Sequence, residues 1–253
     1  MQNILLPESR AILSEFAASK TLLAFDYDGT LAPIVDEPAR ANMRRRTREL
    51  LAELALLYPT IVITGRAQDD ALRRLRGVGV YEVIGNHGLE PWHANERLIQ
   101  IARGWIGRLS DMLGSVEGVR IEDKVFSLAV HYRLAADKPR ARAEIAKAVA
   151  TLEGVRLVGG KQVMNLIPLG APHKGTALER ERVKLECERA VYVGDDETDE
   201  DVFASEPAAP LLSVRVGRSR QSRASYFVPR QRSINDLLSA LVALRKGDPR
   251  RAA

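Results

Sequence analysis

The sequence predicts an α/β protein in which both ends of the chain form a core domain with a mainly parallel sheet, and a smaller α+β domain is inserted between them. Residues 21–25, 60–64 and 190–193 are almost entirely apolar, which is typical of parallel strands covered on both faces. Between the first two strands, leucines recur on one helical face over residues 50–57. This strand, helix and strand are expected to form a right-handed crossover unit.

The middle of the chain has a different pattern. Residues 125–133 alternate between apolar and polar side chains, which is typical of a strand with one face in water. Residues 154–168 predict two strands joined by a turn at Gly159 and Gly160. Two helical patterns accompany these strands, near residues 103–114 and 137–152. We therefore expect an inserted α+β domain over residues 93–172, which is within the usual size range of a small domain.

The α/β pattern resumes after the inserted domain. Its elements are a helix after His173, the strand at 190–193, two further strands at 211–216 and 225–228, and an amphipathic helix at 234–246. The core domain is therefore expected to comprise residues 1–92 and 173–253.

The composition is that of a folded protein. Of 253 residues, 45% are hydrophobic and 28% are charged, which excludes a disordered chain of low hydrophobicity. The single cysteine, Cys187, excludes an intramolecular disulfide framework and fits a reducing compartment. No apolar stretch is long enough for a membrane span, and the first twenty residues lack the pattern of a signal peptide. We expect a cytoplasmic protein without a membrane partner.

The positive charge is modest and local. The chain has 38 Lys and Arg against 33 Asp and Glu, a formal net charge of +5, and its arginines concentrate at 44–48 and 215–232. Aromatic residues make up only 5% of the chain and do not interleave with these arginines. Both arginine groups therefore fit a solvated face better than a nucleic-acid site, and we expect no nucleic-acid partner.

Acidic residues cluster after two of the apolar strands. Asp26 and Asp28 follow the first strand in the segment FDYDGT, and Asp195, Asp196 and Asp199 follow a later strand in GDDETDED. Because ligands of parallel α/β sheets bind outside the carboxyl ends of strands, these side chains are expected to meet. Neighbouring carboxylates need a proton or a cation to offset them, and Mg²⁺ prefers oxygen ligands. The sequence therefore predicts a Mg²⁺ site, and it lacks the Cys/His spacing of a zinc site.

Two further segments supply groups that bind phosphate. Thr64, Gly65 and Arg66 close the second apolar strand and offer a hydroxyl, backbone N–H groups and a guanidinium. Lys174 follows His173 at the start of a predicted helix, where the positive helix end stabilises anions. Together with the acidic clusters, these residues predict a phosphoryl-binding site.

In their order along the chain, these motifs resemble the four motifs of the haloacid dehalogenase (HAD) superfamily. The segments FDYDGTLAPI (25–34), GNHGLE (85–90), EDKVFSLAVHYR (122–133) and GDDETDEDVF (194–203) resemble the trehalose-6-phosphate phosphatases in particular. The resemblance implies a HAD-like Rossmannoid core with an inserted, mobile α+β cap domain of the C2B type. It also implies Mg²⁺-dependent hydrolysis of trehalose 6-phosphate, a phosphorylated disaccharide, in trehalose biosynthesis, with a sugar-phosphate synthase of the same pathway as a candidate partner.

The resemblance also implies a role for each motif residue. Asp26 is expected to attack phosphorus and form an aspartyl-phosphate, and Asp28 to protonate the leaving sugar oxygen and then activate water. Thr64 and Lys174 are expected to bind the phosphoryl oxygens. The implied Mg²⁺ ligands are Asp26, the backbone carbonyl of Asp28, and Asp195, with Asp196 and Asp199 in support.

By the same resemblance, a further set of residues is expected to bind the substrate, most of them through sugar hydroxyls. They are Gly65, Arg66, Glu90, Lys124, His131, Arg133, Lys161 and Asn165. Lys124 and His131 are an odd number of positions apart, so one regular strand does not present both on the same face. A bulge, or a turn that contains Lys124, is therefore expected.

The chain departs from the family pattern in the inserted domain. Many family members have Gly-Lys-x-x-x-Glu-x-Arg-Pro where this chain has GKQVMNLIP at 160–168, so Asn165 stands for the glutamate and Ile167 for the arginine. Asparagine supplies hydrogen bonds but no charge. One alternative is therefore the same chemistry on another phosphorylated glycoside, such as glucosylglycerol phosphate or sucrose phosphate. A catalytically silent binding or regulatory module, or a basic nucleic-acid binder, is a less favoured alternative.

Overall fold

The computed structural model describes residues 1–91, 96–160 and 162–247. The chain divides into two compact units, unit 1 comprising Met1–Gly88 with His173–Ala253 and unit 2 comprising Leu89–Pro172. The boundary predicted at residue 92 lies within unit 2. Lys161, one of the predicted substrate-binding residues, lies outside the described residues. That unit 2 acts as a cap stays a prediction.

Strands and helices alternate along most of the chain. In chain order the strands are β1 (Gln2–Asn3), β2 (Thr21–Phe25), β3 (Thr60–Ile63), β4 (Glu82–Ile84), β5 (Arg120–Asp123), β6 (Leu128–His131), β7 (Val155–Gly160), β8 (Val163–Pro168), β9 (Arg189–Gly194), β10 (Leu211–Val216) and β11 (Tyr226–Val228). The α-helices are α1 (Arg10–Ala18), α2 (Arg45–Leu57), α3 (Gln68–Leu75), α4 (Glu96–Leu113), α5 (Lys138–Val149), α6 (Lys174–Lys184), α7 (Glu200–Phe203) and α8 (Ile234–Lys246).

Unit 1 contains a seven-stranded parallel sheet with the order β1-β11-β10-β9-β2-β3-β4. Strand β2 is buried along its whole length, and its side chains alternate between two apolar clusters. Leu23 and Phe25 pack with residues of α1, α2 and α8, whereas Leu22 and Ala24 pack with residues of α6 and α7. Because helices cover both faces, every position of β2 is apolar or buried, as the sequence predicts.

The register of the central strands aligns their carboxyl ends. Phe25 of β2 pairs with Val62 of β3 and with Val193 of β9, and the N–H of Asp26 donates to the Val193 carbonyl at 2.9 Å. Residues that directly follow these three strands therefore lie at the same edge of the sheet. Ligands of parallel α/β sheets bind at this edge.

Unit 2 contains a four-stranded antiparallel sheet with the order β5-β6-β8-β7. Leu128 and Leu166 pack with Trp105 of α4 and with residues of α5, so the helices cover one face. Ala129 and Asn165, which pair across β6 and β8, lie on the opposite face because side chains alternate along a strand. The prediction of an α/β protein with a parallel sheet is confirmed, and the C2B label of unit 2 stays a prediction.

Two predicted features of unit 2 are wrong. The strand predicted over 125–133 begins only at Leu128, because the N–H of Lys124 donates to the Ser127 carbonyl at 2.9 Å and closes a turn. Within β6 the alternation of wet and dry side chains is absent, since residues 128–130 are all buried. The predicted glycine turn is also wrong: Gly159 and Gly160 belong to β7 and pair with β8, so the chain reverses after them.

The other predicted elements occur close to their predicted positions. Helix α4 begins earlier than its apolar pattern indicates, and β3 ends at Ile63. Among the described residues, no helix combines the length and the apolar character that crossing a bilayer requires.

Candidate active site

Asp26, directly after β2, forms a buried ion pair with Lys174. Nζ of Lys174 donates to Oδ1 of Asp26 at 2.9 Å and to Oδ1 of Asp199 at 2.8 Å, and the side chain of Lys174 is only 1% exposed. Burial raises the pKa of Asp26 well above its ordinary value, although Lys174 counteracts part of this shift. Lys174 begins α6, so this helix start carries the cation to the edge of the sheet.

Asp199 is the centre of the loop that follows β9. Its Oδ1 accepts hydrogen bonds from Lys174 and from the Tyr192 hydroxyl at 2.7 Å, and its Oδ2 accepts from the backbone N–H groups of Asp195 and Asp196 at 2.7 and 2.9 Å. Burial alone would raise the pKa of Asp199, but Lys174 and these hydrogen bonds lower it below its ordinary value. Sequence reasoning missed Tyr192, because within the apolar β9 its ring reads as a core residue.

Asp195 and Asp196 are held by neighbouring threonines. Oδ1 of Asp195 accepts from the Thr30 hydroxyl at 3.1 Å, and Oδ1 of Asp196 accepts from the N–H and the hydroxyl of Thr198 at 2.9 and 2.6 Å. Burial raises the pKa of Asp195 to about 8 and that of Asp196 to about 6. Gly29 has φ +85, and a Cβ there would lie 2.0 Å from Oδ2 of Asp195, so only glycine fits this approach.

The carboxylates of this site fit a divalent cation. One ligand oxygen from each of Asp26, Asp195 and Asp199 lies within 4.8 Å of the others, and Lys174 alone offsets their negative charge among the contacts described. Because Asp199 already accepts several hydrogen bonds, Asp26 and Asp195 are the more available ligands. Burial, and after it the neighbouring carboxylates, keep the pKa values of Asp26 and Asp195 high. A hard cation with oxygen ligands would offset both effects.

The segment after β3 lies beside Asp28. Thr64 is buried, and its Oγ1 accepts the N–H of Arg66 at 3.2 Å. Gly65 lies against the imidazole of His87, since a Cβ on Gly65 would lie 2.5 Å from its Cε1. The guanidinium of Arg66 donates to both carboxylate oxygens of Asp28, at 2.6 and 2.7 Å.

The remaining predicted substrate-binding residues belong to unit 2. They are Glu90, Lys124, His131, Arg133 and Asn165, with Lys161 outside the described residues. Lys124 lies in the turn between β5 and β6, so this turn, and not a bulge, accounts for its odd spacing from His131. Sequence reasoning missed Glu122, although it lies in the EDK segment. Its Oε2 lies 2.7 Å from Nε2 of His131, and this hydrogen bond lowers the pKa of Glu122.

The two departures from the family pattern have different surroundings. Asn165 is buried in the middle of β8, on the face of the sheet opposite the helices. Ile167 is only 1% exposed and belongs to an apolar cluster with Leu89, Leu98 and Phe126. An arginine at 167 would need a partner in this cluster, whereas isoleucine packs there without one.

Comparisons with known proteins identify the family of this chain. The model of the trehalose-phosphatase family matches residues 24–231. A trehalose-phosphate phosphatase of Mycobacterium marinum (strain ATCC BAA-535 / M) is 35% identical over 207 residues, which cover 76% of this chain and 53% of that protein. A probable trehalose-phosphate phosphatase D of Arabidopsis thaliana is 30% identical over 216 residues, which cover 76% and 58%. The chain thus spans about half the length of the curated relatives it matches.

A solved structure shares the fold over nearly the whole chain. The trehalose-6-phosphate phosphatase of Aspergillus fumigatus superimposes with a TM-score of 0.62 at 25% identity, covering 92% of this chain and 97% of that one. The resemblance stated from the motifs is confirmed by these matches. The chain belongs to the trehalose-phosphatase family.

Proposed function

We propose that this chain is a Mg²⁺-dependent phosphatase that hydrolyses trehalose 6-phosphate to trehalose and inorganic phosphate through an aspartyl-phosphate. The observation that carries the proposal is the position of Asp26, whose carboxylate is buried against Lys174 and within 4.8 Å of ligand oxygens of Asp195 and Asp199. The names of the relatives support the choice of trehalose 6-phosphate.

In the proposed first step, Asp26 attacks phosphorus. An anionic carboxylate approaches a dianionic phosphate ester only where positive charge offsets the repulsion, and Lys174 supplies one such charge at 2.9 Å from the nucleophile. Thr64 supports the binding of phosphoryl oxygens through its position after β3. Mg²⁺ held by Asp26, Asp195 and the Asp28 carbonyl would supply the remaining positive charge.

Asp28 is the proposed proton donor and acceptor. Its side chain is 37% exposed, so it has access to a leaving oxygen and to water, in contrast to the buried Asp26. It protonates the sugar oxygen as the ester bond breaks, and the resulting carboxylate then takes a proton from the water that hydrolyses the aspartyl-phosphate.

The proposed specificity lies in unit 2, acting as a cap. The polar face of its sheet carries Glu122, His131 and Asn165, whose hydrogen-bonding groups suit sugar hydroxyls, and Lys124 lies in the turn beside them. The proposal extends to Glu90, Arg133 and Lys161 by the family resemblance alone.

The single, buried Cys187 supports a reducing, cytoplasmic compartment, and the substrate implies a sugar-phosphate synthase acting before this enzyme.

A second candidate is the same chemistry on another phosphorylated glycoside. It is favoured by Asn165 and Ile167, which remove a charged pair from the segment where many family members carry one. Losing one charge-assisted hydrogen bond to a sugar hydroxyl would weaken binding by about 1.5–3 kcal/mol. A smaller or differently linked sugar would not require that bond.

A panel of sugar phosphates tests both candidates. The panel contains trehalose 6-phosphate, sucrose phosphate, glucosylglycerol phosphate and glucose 6-phosphate. We expect phosphate release to require Mg²⁺, and we expect kcat/KM to be highest for trehalose 6-phosphate. If kcat/KM for trehalose 6-phosphate is about tenfold or more below that for another member, a difference of about 1.4 kcal/mol, the second candidate replaces the first. No release from any member, with and without Mg²⁺, would favour a silent binding module.

Mg²⁺ is also expected to stabilise the protein in a pH-dependent way. The raised pKa values of Asp195, about 8, and Asp196, about 6, mean that the folded state binds protons more tightly than the unfolded state. This stabilisation is present below the ordinary pKa of aspartate and is lost as pH rises through the folded values. Metal-free protein should therefore lose stability between about pH 4 and pH 8.

Because protons compete with the cation, Mg²⁺ should raise the melting temperature more at pH 8 than at pH 5. Thermal unfolding in excess EDTA and in excess Mg²⁺, at pH 5 and at pH 8, measures the increment in melting temperature that Mg²⁺ causes at each pH. Asp195→Asn is the matched variant and should lose most of the increment at pH 8. An increment as large at pH 5 as at pH 8 would show that the cation binds elsewhere.

A further inference from the structure

Arg66 holds the carboxylate of Asp28 with a two-point contact. Nε of Arg66 lies 2.6 Å from Oδ2, and Nη2 lies 2.7 Å from Oδ1. This parallel geometry fixes the orientation of a carboxylate as well as its position. The Arg66 side chain is only 12% exposed, and its guanidinium lies 5.5 Å from the centre of the Tyr27 ring. Asp28 is therefore held by a group that has little freedom of its own.

Arg66 is in turn held by Asp70 in the first turn of α3. Nη1 of Arg66 donates to Oδ2 of Asp70 at 2.7 Å, and Nε of Arg74 donates to the same oxygen at 2.9 Å. Burial alone would raise the pKa of Asp70, but the hydrogen bonds from Arg74 and Arg66 lower it below its ordinary value. Asp70 is thus an anion between the largely buried guanidinium groups of Arg66 and Arg74, and the exposed Arg73 lies 3.7 Å from its other carboxylate oxygen.

Arg74 connects this arrangement to the backbone. Its side chain is only 10% exposed, and its terminal nitrogens donate to the carbonyls of Ala41 and Ala39 at 2.8 and 3.2 Å. A continuous series of contacts therefore runs from Asp28 through Arg66 and Asp70 to Arg74. Since the far end of the series is anchored on carbonyl groups, we expect a change at Asp70 to alter the position of Asp28 without touching it.

We propose that Asp70 is a positioning residue for the proton transfers of the reaction: through Arg66 it holds the Asp28 carboxyl where it reaches the leaving oxygen and then the water. This inference rests on the proposed function. In the proposed reaction, Asp70 contacts neither the substrate nor the metal site. The role is more specific than support of the fold, because the Arg66 guanidinium that Asp70 holds also donates to both carboxylate oxygens of Asp28.

The role predicts which steps depend on Asp70. In the transfer step, an oxygen of Asp26 bonds to phosphorus, the bond from phosphorus to the sugar oxygen breaks, and that oxygen takes the proton of Asp28. In the hydrolysis step, Asp28 takes a proton from water, the water oxygen bonds to phosphorus, and the bond from phosphorus to Asp26 breaks. With p-nitrophenyl phosphate the phenolate leaves without a proton, so only the hydrolysis step needs Asp28.

The experiment compares Asp70→Asn with Asp69→Asn in the full chain with Mg²⁺. Asp69 is the exposed neighbour in the same helical turn, so both variants lose one negative charge at nearly the same place. For D70N we expect kcat on trehalose 6-phosphate to fall by about tenfold or more, which is part of the roughly 10²–10⁴-fold that general acid–base catalysis contributes. With p-nitrophenyl phosphate, D70N should still release one equivalent of phenolate rapidly, followed by a slower steady rate.

D69N should match the wild type on both substrates, and Asp70→Glu, which keeps the charge, should recover part of the lost rate. Arg74→Gln removes the second donor to Asp70 and is the second variant if D70N does not fold. If D70N slows the phenolate burst as much as it lowers kcat on trehalose 6-phosphate, Asp70 supports the structure in general. If D70N has wild-type kinetics, Arg66 positions Asp28 without Asp70. Either result overturns the inference.

Failure of the proposed function has a different signature. If the wild type released phosphate from no sugar phosphate, the proposed function would be wrong. The steady rate with p-nitrophenyl phosphate would still show whether D70N is slower than D69N, and so would still test the role of Asp70.

Discussion

Asp26→Asn is expected to abolish turnover while the protein stays folded. The amide keeps the shape of the carboxylate but does not form an acyl-phosphate, so kcat should fall by about a thousandfold or more. The fold should persist because Lys174 keeps its hydrogen bond to Asp199 at 2.8 Å. The raised pKa of Asp26 also means that a neutral side chain is well accommodated at this position.

Phosphate release and thermal unfolding measure the two parts of this expectation. Asp236→Asn, at an exposed position in the first turn of α8, is the matched control and should be indistinguishable from the wild type in both assays. Appreciable turnover by D26N, after mass spectrometry has excluded deamidation to aspartate, would show that another group is the nucleophile.

The parts of unit 1 that the sequence predicts are those set by local pattern. Strand β2 occurs at its predicted residues because both of its faces are covered, so its apolar run has no competing interpretation as an amphipathic helix. Helix α8 also occurs at its predicted residues, because its apolar face runs along its length and Gly247 ends it. Asp26 and Asp195 were predictable as neighbours because parallel strands in register bring their ends together.

Side-chain partners far apart in sequence were not predictable in this way. Asp28 and Arg66 are separated by 38 positions, and the pair of Asp70 with Arg74 reads as an ordinary surface pair of a short helix. Their connection exists only because β2 and β3 are adjacent in the sheet. The resemblance therefore suggested Arg66 as a substrate-binding residue, and its contacts with two carboxylates appeared only in the structure.

Short elements and turns in unit 2 were mispredicted for a related reason. Residues 125–133 were predicted as one strand, but Val125 has φ +70, and the hydrogen bond between Lys124 and Ser127 turns the chain before β6 begins. Likewise, Gly159 and Gly160 carry the composition of a turn but pair with β8. In both places tertiary pairing overrides a local preference.

Lys174→Met is expected to destabilise the protein strongly. The ammonium group is buried between Asp26 and Asp199, and its removal leaves buried carboxylates without their cation, which costs about 3–5 kcal/mol. Native proteins are stable by only about 5–15 kcal/mol, so the melting temperature should fall on the order of 10 °C. Measured in EDTA at neutral pH, a change of only a degree or two would show that Lys174 is dispensable to the fold.

The sign of the pH dependence follows from the pKa of Lys174. Burial lowers it, but Asp199 and Asp26 raise it well above its ordinary value. On the alkaline side, the stabilisation is therefore kept up to the unfolded pKa of lysine and is lost as pH rises through the folded value. The deficit of K174M should persist across the neutral range and shrink in acid, where Asp26 is protonated and no longer needs a cation.

A double-mutant cycle separates the ion pair from loss of packing. If K174M is destabilised because Asp26 loses its cation and must either stay charged or take up a proton, then D26N/K174M removes that cost and should be more stable than K174M alone. The coupling between the two sites should be about 0.5–3 kcal/mol. The substituted methionine side chain packs in the same space in both backgrounds, so poor packing alone would give additive effects. Additivity within about 0.3 kcal/mol would therefore mean that the 2.9 Å contact between Lys174 and Asp26 contributes nothing to the folded state.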